Sequence, residues 1–484
     1  MTYKYKTKPF DHQHEEFTRH GQDFARGLFW EQGCGKTKPV IDSTAYLYGE
    51  KEIDGLMVIA PNGVHRNWVS DEIVAHMPDH VAERMQSHIW YSTGTKKHMR
   101  SFEYALKHRG LACLVMAYNA VWTNRGRDAW KAFLKQRRCM YVLDESQRVK
   151  NPNAKWSKRI LGSATVGAPY RRVLSGTPVT NSPFDIYNQL RFLKPDVWHP
   201  YGIRDFSAFK QFFGIWEQRH LRGSEERTFP HCVAYKNLEI LNQLTHELGS
   251  RVTKDEVLDL PPKVFSKRYY DLTPAQTRAY KELKDDFVCE LESGDITAML
   301  AIVRLLRFQQ ICCGYLPTSD DDRTLRDLPG GNPRLDLLVD TVSDLSHQAI
   351  IWARFSRDID LISQHKDLKN KCVVVDGRVT GPRRGEALDA FKRGDKQFLI
   401  ASPAAIGTGV TLVAARTVIY YSNYFDLELR LQSEDRAHRI GQEHPVNYID
   451  LCCAGTVDMQ IIESLRKKVD IASSITGDTL KEWI

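Results

Sequence analysis

The chain has 484 residues, 42% of them hydrophobic and 26% charged, with a formal net charge of +8. That length exceeds one hydrophobic core and predicts about two to four domains, while the near-average composition excludes an intrinsically disordered chain. The modest positive charge admits an anionic polymer as partner without requiring one. No apolar run approaches the roughly 18 residues of a membrane span, and the basic start MTYKYKTKPF lacks a signal peptide's apolar core, so a cytoplasmic protein with no membrane partner is expected. The ten cysteines include the neighbours Cys312-Cys313 and Cys452-Cys453 but no C-x-x-C at zinc spacing, which reads as small buried hydrophobes in a reducing compartment.

In chain order, Lys8 to Gln13 comes first, followed by a helical-looking stretch from His14 to Ala25. The Gln13 amide offers the donor and acceptor that the Hoogsteen edge of adenine requires. The apolar run Gly27-Leu-Phe-Trp30 then leads into Glu31-Gln-Gly-Cys-Gly-Lys-Thr37. A turn carrying Gly33, Cys34 and Gly35 brings backbone N–H groups against phosphate oxygens, Lys36 binds β/γ-phosphates, and the Thr37 hydroxyl ligates Mg²⁺. The pattern G-x-x-x-x-G-K-[ST] has glycine where this chain has Trp30, so the match is incomplete.

A helix is expected from Lys38 to about Tyr48, and a buried strand at Gly55 to Pro61. Further short apolar runs fall at Leu111–Tyr118, Cys139–Leu143 and Arg172–Leu174, with polar-faced helices between them. This alternation predicts a parallel, doubly wound sheet with ligands at the carboxyl ends of its strands. After the third run, Asp144 can hold Mg²⁺ through water, and Glu145 can orient or deprotonate the attacking water. Ser175-Gly-Thr-Pro178 follows the fourth run and suits a link to a second site.

From about Phe192 to Pro262 the pattern breaks. Phe206, Phe209, Phe212, Phe213 and Trp216 have helix-like spacing, which reads as a helical insertion with an aromatic core stripe; a base-stacking platform is the competing reading. Leu258 to Lys263, with two adjacent prolines, reads as a hinge. Thr273 and Pro274 then open a helix. A second series of strands follows at Ala349–Trp352, Cys372–Val375, Gln397–Ala401, Thr417–Tyr421 and Val446–Leu451, giving a second α/β lobe with no GKT. In that lobe, Arg436 and Arg439 are three apart and would share a helix face. They read either as a surface ion-pair network with Glu434 and Asp435, or as arginine fingers on a γ-phosphate.

The order and spacing of these motifs resemble the Swi/Snf-type DNA translocases of helicase superfamily 2. The resemblance rests on Gln13, on EQGCGKT as motif I, on Ala60-Pro61 with Asn67-Trp68 as motif Ia, and on Asp144-Glu145-Ser146-Gln147 with Val149-Lys150-Asn151 as motif II. Ser175 to Asn181 resembles motif III, Arg251 to Asp255 with Leu260 to Lys263 the brace between lobes, and Asp435 to Gln442 motif VI. Gln147 departs from the family's usual histidine, and Ile406 and Thr411 depart from its motif V.

The resemblance implies two tandem RecA-like P-loop lobes, each a parallel doubly wound α/β sheet, with helical insertions. Lobe one would span residues 1–195, a helical insertion with brace and hinge 196–262, the helical start of lobe two 263–330, and lobe two with its C-terminal helix 331–484. It implies ATP and Mg²⁺ as cofactors. Lys36, Asp144, Glu145, Arg436 and Arg439 would be catalytic; Gln13 and Gly33 to Thr37 would bind nucleotide; Thr37 and Asp144 would hold the metal. The implied partner is nucleic acid, duplex DNA foremost, bound by a monomer that translocates and remodels without processive strand separation. The short inserts suggest a compact prokaryotic or viral relative. A strand-separating DNA or RNA helicase and a nucleotide-gated binding switch remain the alternatives.

Overall fold

The computed structural model describes residues 3–91, 94–162, 168–220, 228–293, 298–318, 324–406 and 410–478. Its internal contacts divide the chain into two units. The first comprises Met1–Gly214, Tyr235–Asp259 and Asp470–Leu480; the second comprises Ile215–Ala234, Leu260–Val469 and Lys481–Ile484.

In the first unit the strands are β1 (Ala25–Trp30), β2 (Gly55–Ala60), β3 (Met85–Ile89), β4 (Leu111–Ala117), β5 (Cys139–Asp144) and β6 (Tyr170–Leu174). After the two-stranded sheet of β7 (Gly214–His220) and β8 (Thr228–Tyr235), β9 (Gly249–Val252) completes the set. The first unit's sheet has the order β3-β4-β2-β5-β6-β1-β9, and every pair is parallel. A parallel sheet covered on both faces needs strands that are apolar throughout. Leu56 to Ala60 on β2 and Leu111 to Met116 on β4 are all fully buried. At about 1.5–3 kcal/mol for each large apolar side chain removed from water, these central strands hold the unit together.

The second unit contains β10 (Lys263–Tyr270), β11 (Tyr315–Pro317), β12 (Leu325–Asp327), β13 (Ala349–Trp352), β14 (Cys372–Val375), β15 (Phe398–Ala401), β16 (Thr417–Tyr420) and β17 (Val446–Cys453). Its main sheet, β10-β17-β16-β13-β15-β14, is again wholly parallel, and β11 pairs with β12 as a small antiparallel ribbon. Helices separate most successive strands of each sheet, as in tandem RecA-like lobes. No helix among the described residues is long and apolar enough to cross a membrane, and the nine cysteines whose side chains are described are all free.

Three boundaries differ from the sequence-based expectation. The 196–262 segment is not a helical insertion throughout. The aromatic helix Phe206–Phe213 ends where Gly214 turns extended (φ −110°, ψ 149°), and the chain continues as the β7–β8 ribbon, which takes up Trp216. Phe209 and Phe213 are fully buried, so the stripe is core rather than a stacking platform. Residues 235–259 return to the first unit, adding β9 beside β1. Beyond the hinge, residues 263–330 begin with edge strand β10, not helices. Half-buried and exposed positions alternate over its first five residues, a weaker signal than an apolar run. Finally, the end of the helix Val457–Thr476, from Asp470 on, groups with the first unit instead of with lobe two.

Candidate functional site

The register of the first sheet explains why separated motifs meet. Leu28 of β1 lies opposite Leu174 of β6, and Leu174 lies opposite Asp144 of β5. The segments leaving these three adjacent strands therefore emerge at one edge of the sheet: EQGCGKT after β1, Glu145 to Gln147 after β5, and Ser175-Gly-Thr-Pro178 after β6.

The loop after β1 leads into helix α2 (Thr37–Gly49), whose N-terminal N–H groups and dipole favour an anion. Gly33 (φ 92°) and Gly35 (φ 73°) occupy left-handed backbone that other residues rarely adopt. A Cβ on Gly35 would also stand 2.2 Å from Gln13 Nε2. Lys36 Nζ folds back across the loop, donating to the carbonyls of Trp30 at 2.9 Å and Glu31 at 3.1 Å. Cys34 is fully buried and its thiol is pushed up to about 11, foremost by burial, so it serves as a small apolar filler and not a reactive thiolate.

Gln13 lies in helix α1 (Asp11–His20) and is 4% exposed. Its Oε1 accepts from the Phe10 N–H and its Nε2 donates to the Gly35 carbonyl, both at 2.9 Å. The amide therefore anchors the phosphate loop, a role not read from the sequence. His12 joins it, with Nε2 2.8 Å from the Cys34 carbonyl and its ring edge-on to Trp30. The sequence signal for His12 was its place beside Gln13 alone.

Asp144 and Glu145 face this loop. Burial pushes both carboxyls up, and Lys36 draws both back toward ionisation. Gln32 Nε2, in the loop, reaches Glu145 Oε1 at 3.4 Å. Glu145 holds a left-handed backbone (φ 49°, ψ 56°), a conformation that costs a non-glycine residue of order 1–3 kcal/mol and clusters at functional sites. Behind it, Gln147 Nε2 donates to Glu145 Oε2 at 2.8 Å while Gln147 Oε1 accepts from Ser175 Oγ at 2.7 Å. Gln189 clamps the two segments together, accepting from Ser146 Oγ at 2.7 Å and donating to the Pro178 carbonyl at 2.6 Å.

From edge strand β9, the Arg251 guanidinium donates to the Phe29 carbonyl at 2.6 Å and the Gly176 carbonyl at 3.4 Å. It also approaches Glu31 at 3.5 Å and grips both Asp478 oxygens at 2.8 and 2.7 Å.

The second unit carries the arginine segment. The helix Leu427–Glu434 ends before it, so Arg436 and Arg439 lie in the following turn and not on a helix face. Gln442 holds that turn by donating to the carbonyls of Val413, Ala415 and Ala437 at 3.0 to 3.1 Å. Fully buried Glu434 pairs with Arg430 at 2.9 Å and Lys263 at 3.1 Å, and Lys263 reaches Asp435 at 3.8 Å. Arg436 is 6% exposed and donates to the Val410 carbonyl at 3.3 Å. Arg439 is half-buried, and its guanidinium has no hydrogen bond or ion pair among the described residues. Part of the expected motif V, residues 407–409, lies outside the described residues.

Residues 19–315 match the profile of the SNF2-related domain, and residues 333–441 that of the helicase conserved C-terminal domain. The chain belongs to the SNF2-related family. It is 27% identical over 463 residues to a probable ATP-dependent DNA helicase, CHR12, of Arabidopsis thaliana, covering 92% of this chain and 39% of that protein. It is 26% identical over 472 residues to the ISWI chromatin-remodeling complex ATPase CHR17 of the same plant, covering 91% and 39%. An uncharacterized ATP-dependent helicase, MG018, of Mycoplasma genitalium is 26% identical over 455 residues, covering 91% and 39%. The chain thus spans about two fifths of the length of these curated relatives. Among solved structures, the Sulfolobus solfataricus SWI2/SNF2 ATPase core in complex with dsDNA is 21% identical, covering 99% of this chain and 96% of that one at a TM-score of 0.42.

For an SNF2-related chain, the exchange of histidine for Gln147 put the link between motifs II and III in question. The hydrogen bonds from Glu145 through Gln147 to Ser175 are nevertheless made, because an amide offers the donor and acceptor the link needs.

Proposed function

We propose that this chain is an ATP-dependent DNA translocase of the SNF2 type, hydrolysing ATP to move along duplex DNA and remodel protein–DNA complexes or branched DNA. The observation that carries the reading is the convergence of the Gly33–Thr37 loop, Lys36, Asp144 and Glu145 at the carboxyl ends of adjacent parallel strands. The loop amides and Lys36 bind the phosphates, with Gln13 fixing the loop through Phe10 and Gly35. Glu145 orients the attacking water and accepts its proton. Arg436 and Arg439 stabilise charge on the γ-phosphoryl group, a contribution of several orders of magnitude in rate.

Thr37 and Asp144 supply hard oxygen donors, the set that suits Mg²⁺. Bound there, Mg²⁺ would neutralise phosphate charge. Grip on DNA through its phosphodiester backbone would be electrostatic, falling steeply with salt and carrying little sequence preference.

The test is ATP turnover by the chain alone, without nucleic acid and with single-stranded DNA, duplex DNA or RNA, alongside triplex displacement and duplex unwinding. Duplex-stimulated turnover with triplex displacement and no unwinding is expected. Unwinding would make it a strand-separating helicase. Equal turnover under all conditions would make it a nucleotide-gated binding protein.

A further inference from the structure

Trp68 lies in the π-helical turn Trp68–Glu72, and its indole Nε1–H donates to Asp144 Oδ2 at 2.9 Å. The side chain is 1% exposed. An indole N–H can only donate, so a buried one needs an acceptor. At four other buried indoles, burial alone recruits no carboxylate among the described residues. Trp30 and Trp130 donate to the hydroxyls of Ser250 and Tyr141, and the buried Nε1 atoms of Trp90 and Trp352 have no partner among those residues. The wide turn is closed by the Ile73 N–H on the Trp68 carbonyl, five residues back. Such turns displace a side chain from ordinary helical register and recur at functional sites. Tyr118 holds the other end of the acid, its hydroxyl donating to the Asp144 carbonyl at 2.9 Å. The Asp144 carboxylate is thus oriented by a rigid aromatic donor rather than by a flexible side chain.

We propose that Trp68 is a positioning residue for the divalent cation: by engaging Oδ2 it fixes the Asp144 carboxylate and disfavours two-oxygen chelation, setting both the strength and the choice of metal. Ca²⁺ accepts two-oxygen carboxylate ligation in loose geometry, whereas Mg²⁺ demands near-octahedral order and keeps several waters. Removing the N–H weakens the Mg²⁺ site more than the Ca²⁺ site. The proposal rests on the reading of this site as an ATP·Mg²⁺ site.

The experiment measures the affinity of the whole chain for a fluorescent ATP analogue in EDTA, in Mg²⁺ and in Ca²⁺. In Trp68→Phe, affinity in EDTA stays within about twofold of wild type, while the tightening by Mg²⁺ drops about 10-fold, the lower range for lost partners of a metal ligand. Tightening by Ca²⁺ drops less. In an Asp144→Asn background Trp68→Phe has no further effect. Should the phenylalanine variant misfold, 3-benzothienylalanine at position 68 replaces only the N–H with sulfur and gives the same readout. Wild-type Mg²⁺ tightening in the variant, or equal losses in EDTA and Mg²⁺, overturns the Trp68 assignment alone. No Mg²⁺ tightening in the wild type overturns the ATP·Mg²⁺ reading with it.

Discussion

The Gln147 amide donates to the Glu145 carboxylate at 2.8 Å, and the same amide accepts from Ser175 at 2.7 Å. A buried carboxylate that loses such a bond loses about 1.5–3 kcal/mol, which predicts a 10- to 100-fold fall in DNA-stimulated turnover for Gln147→Ala. Nucleotide affinity should stay near wild type, because the bonds from Gln147 to Glu145 and Ser175 lie outside the phosphate loop. Gln147→His, which puts back the side chain usual in the family, should retain more turnover than the alanine variant. Steady-state kinetics beside equilibrium nucleotide binding would check this; full turnover in Gln147→Ala would remove the link from the mechanism.

Glu145 and Lys36 should separate chemistry from binding. Glu145→Gln keeps the size, the left-handed backbone and an acceptor for Gln147 but cannot take a proton, so hydrolysis should vanish while ATP still binds. Lys36→Ala removes the cation that both carboxyls sense, and should abolish hydrolysis and weaken binding. Single-turnover hydrolysis with nucleotide titration distinguishes the two.

The strands that carry chemistry were legible because they are buried on both faces: β1, β2, β4, β5 and β6 read as apolar runs, each ending in a polar cluster. Edge strands β3 (Met-Gln-Ser-His-Ile) and β10 (Lys-Val-Phe-Ser-Lys-Arg-Tyr-Tyr) mix polar and apolar residues with neither an apolar run nor a clean alternation, and β9 is only Gly-Ser-Arg-Val, too short for periodicity to register. The site residues at strand ends, Lys36, Asp144 and Glu145, carry local signatures. Trp68, Arg251 and Asp478 act across long sequence separations, so no local pattern gives their partners. The helix expected under Arg436 and Arg439 stops at Glu434 because the following residues satisfy their backbone through Leu412 and Gln442. That is a tertiary arrangement invisible to local spacing.

Asp478 should matter although it lies far from the phosphate loop in sequence. It takes both forks of Arg251, which in turn holds the Phe29 carbonyl just before the loop. Asp478→Ala leaves a guanidinium that is largely buried without its carboxylate, with an expected loss of about 2 kcal/mol. Chemical denaturation followed by signals from the first unit would measure it, and nucleotide affinity should weaken in parallel. An unchanged midpoint would mean that Glu31 and the backbone carbonyls suffice to hold Arg251.

Asp358 should give the second unit an inverted pH response. Burial pushes its carboxyl up to about 6, although Tyr315, Ser422 and Cys313 donate to it and Arg334 acts on it electrostatically. In the unfolded chain the same group titrates near ~3.9, so between about pH 4 and 6 the native state binds more protons. This contribution is therefore present at low pH and lost as pH rises through that window, by up to about 3 kcal/mol. The stability difference between wild type and Asp358→Asn, measured by urea unfolding from pH 4 to 7, should shift in favour of the asparagine variant as pH rises. A difference independent of pH would refute it.

Arg436 and Arg439 should prove unequal. Arg436 is committed to its own turn, with its side chain on the Val410 carbonyl and its backbone carbonyl accepting the Leu412 N–H at 2.8 Å. Arg436→Ala should therefore lower stability as well as turnover. Arg439 holds nothing in its own unit among the described residues, yet its half-buried position keeps it from being a freely solvated surface charge. A guanidinium held without an internal partner is suited to an anion supplied from outside. Arg439→Ala should leave the melting temperature and ATP affinity unchanged while turnover falls about 1,000-fold or more, the range for a lost arginine finger. Arg439→Lys should recover little, because an ammonium lacks the planar fork that spans phosphoryl oxygens. Turnover within about threefold of wild type in Arg439→Ala, well short of the finger range, would move the finger role to Arg436 alone.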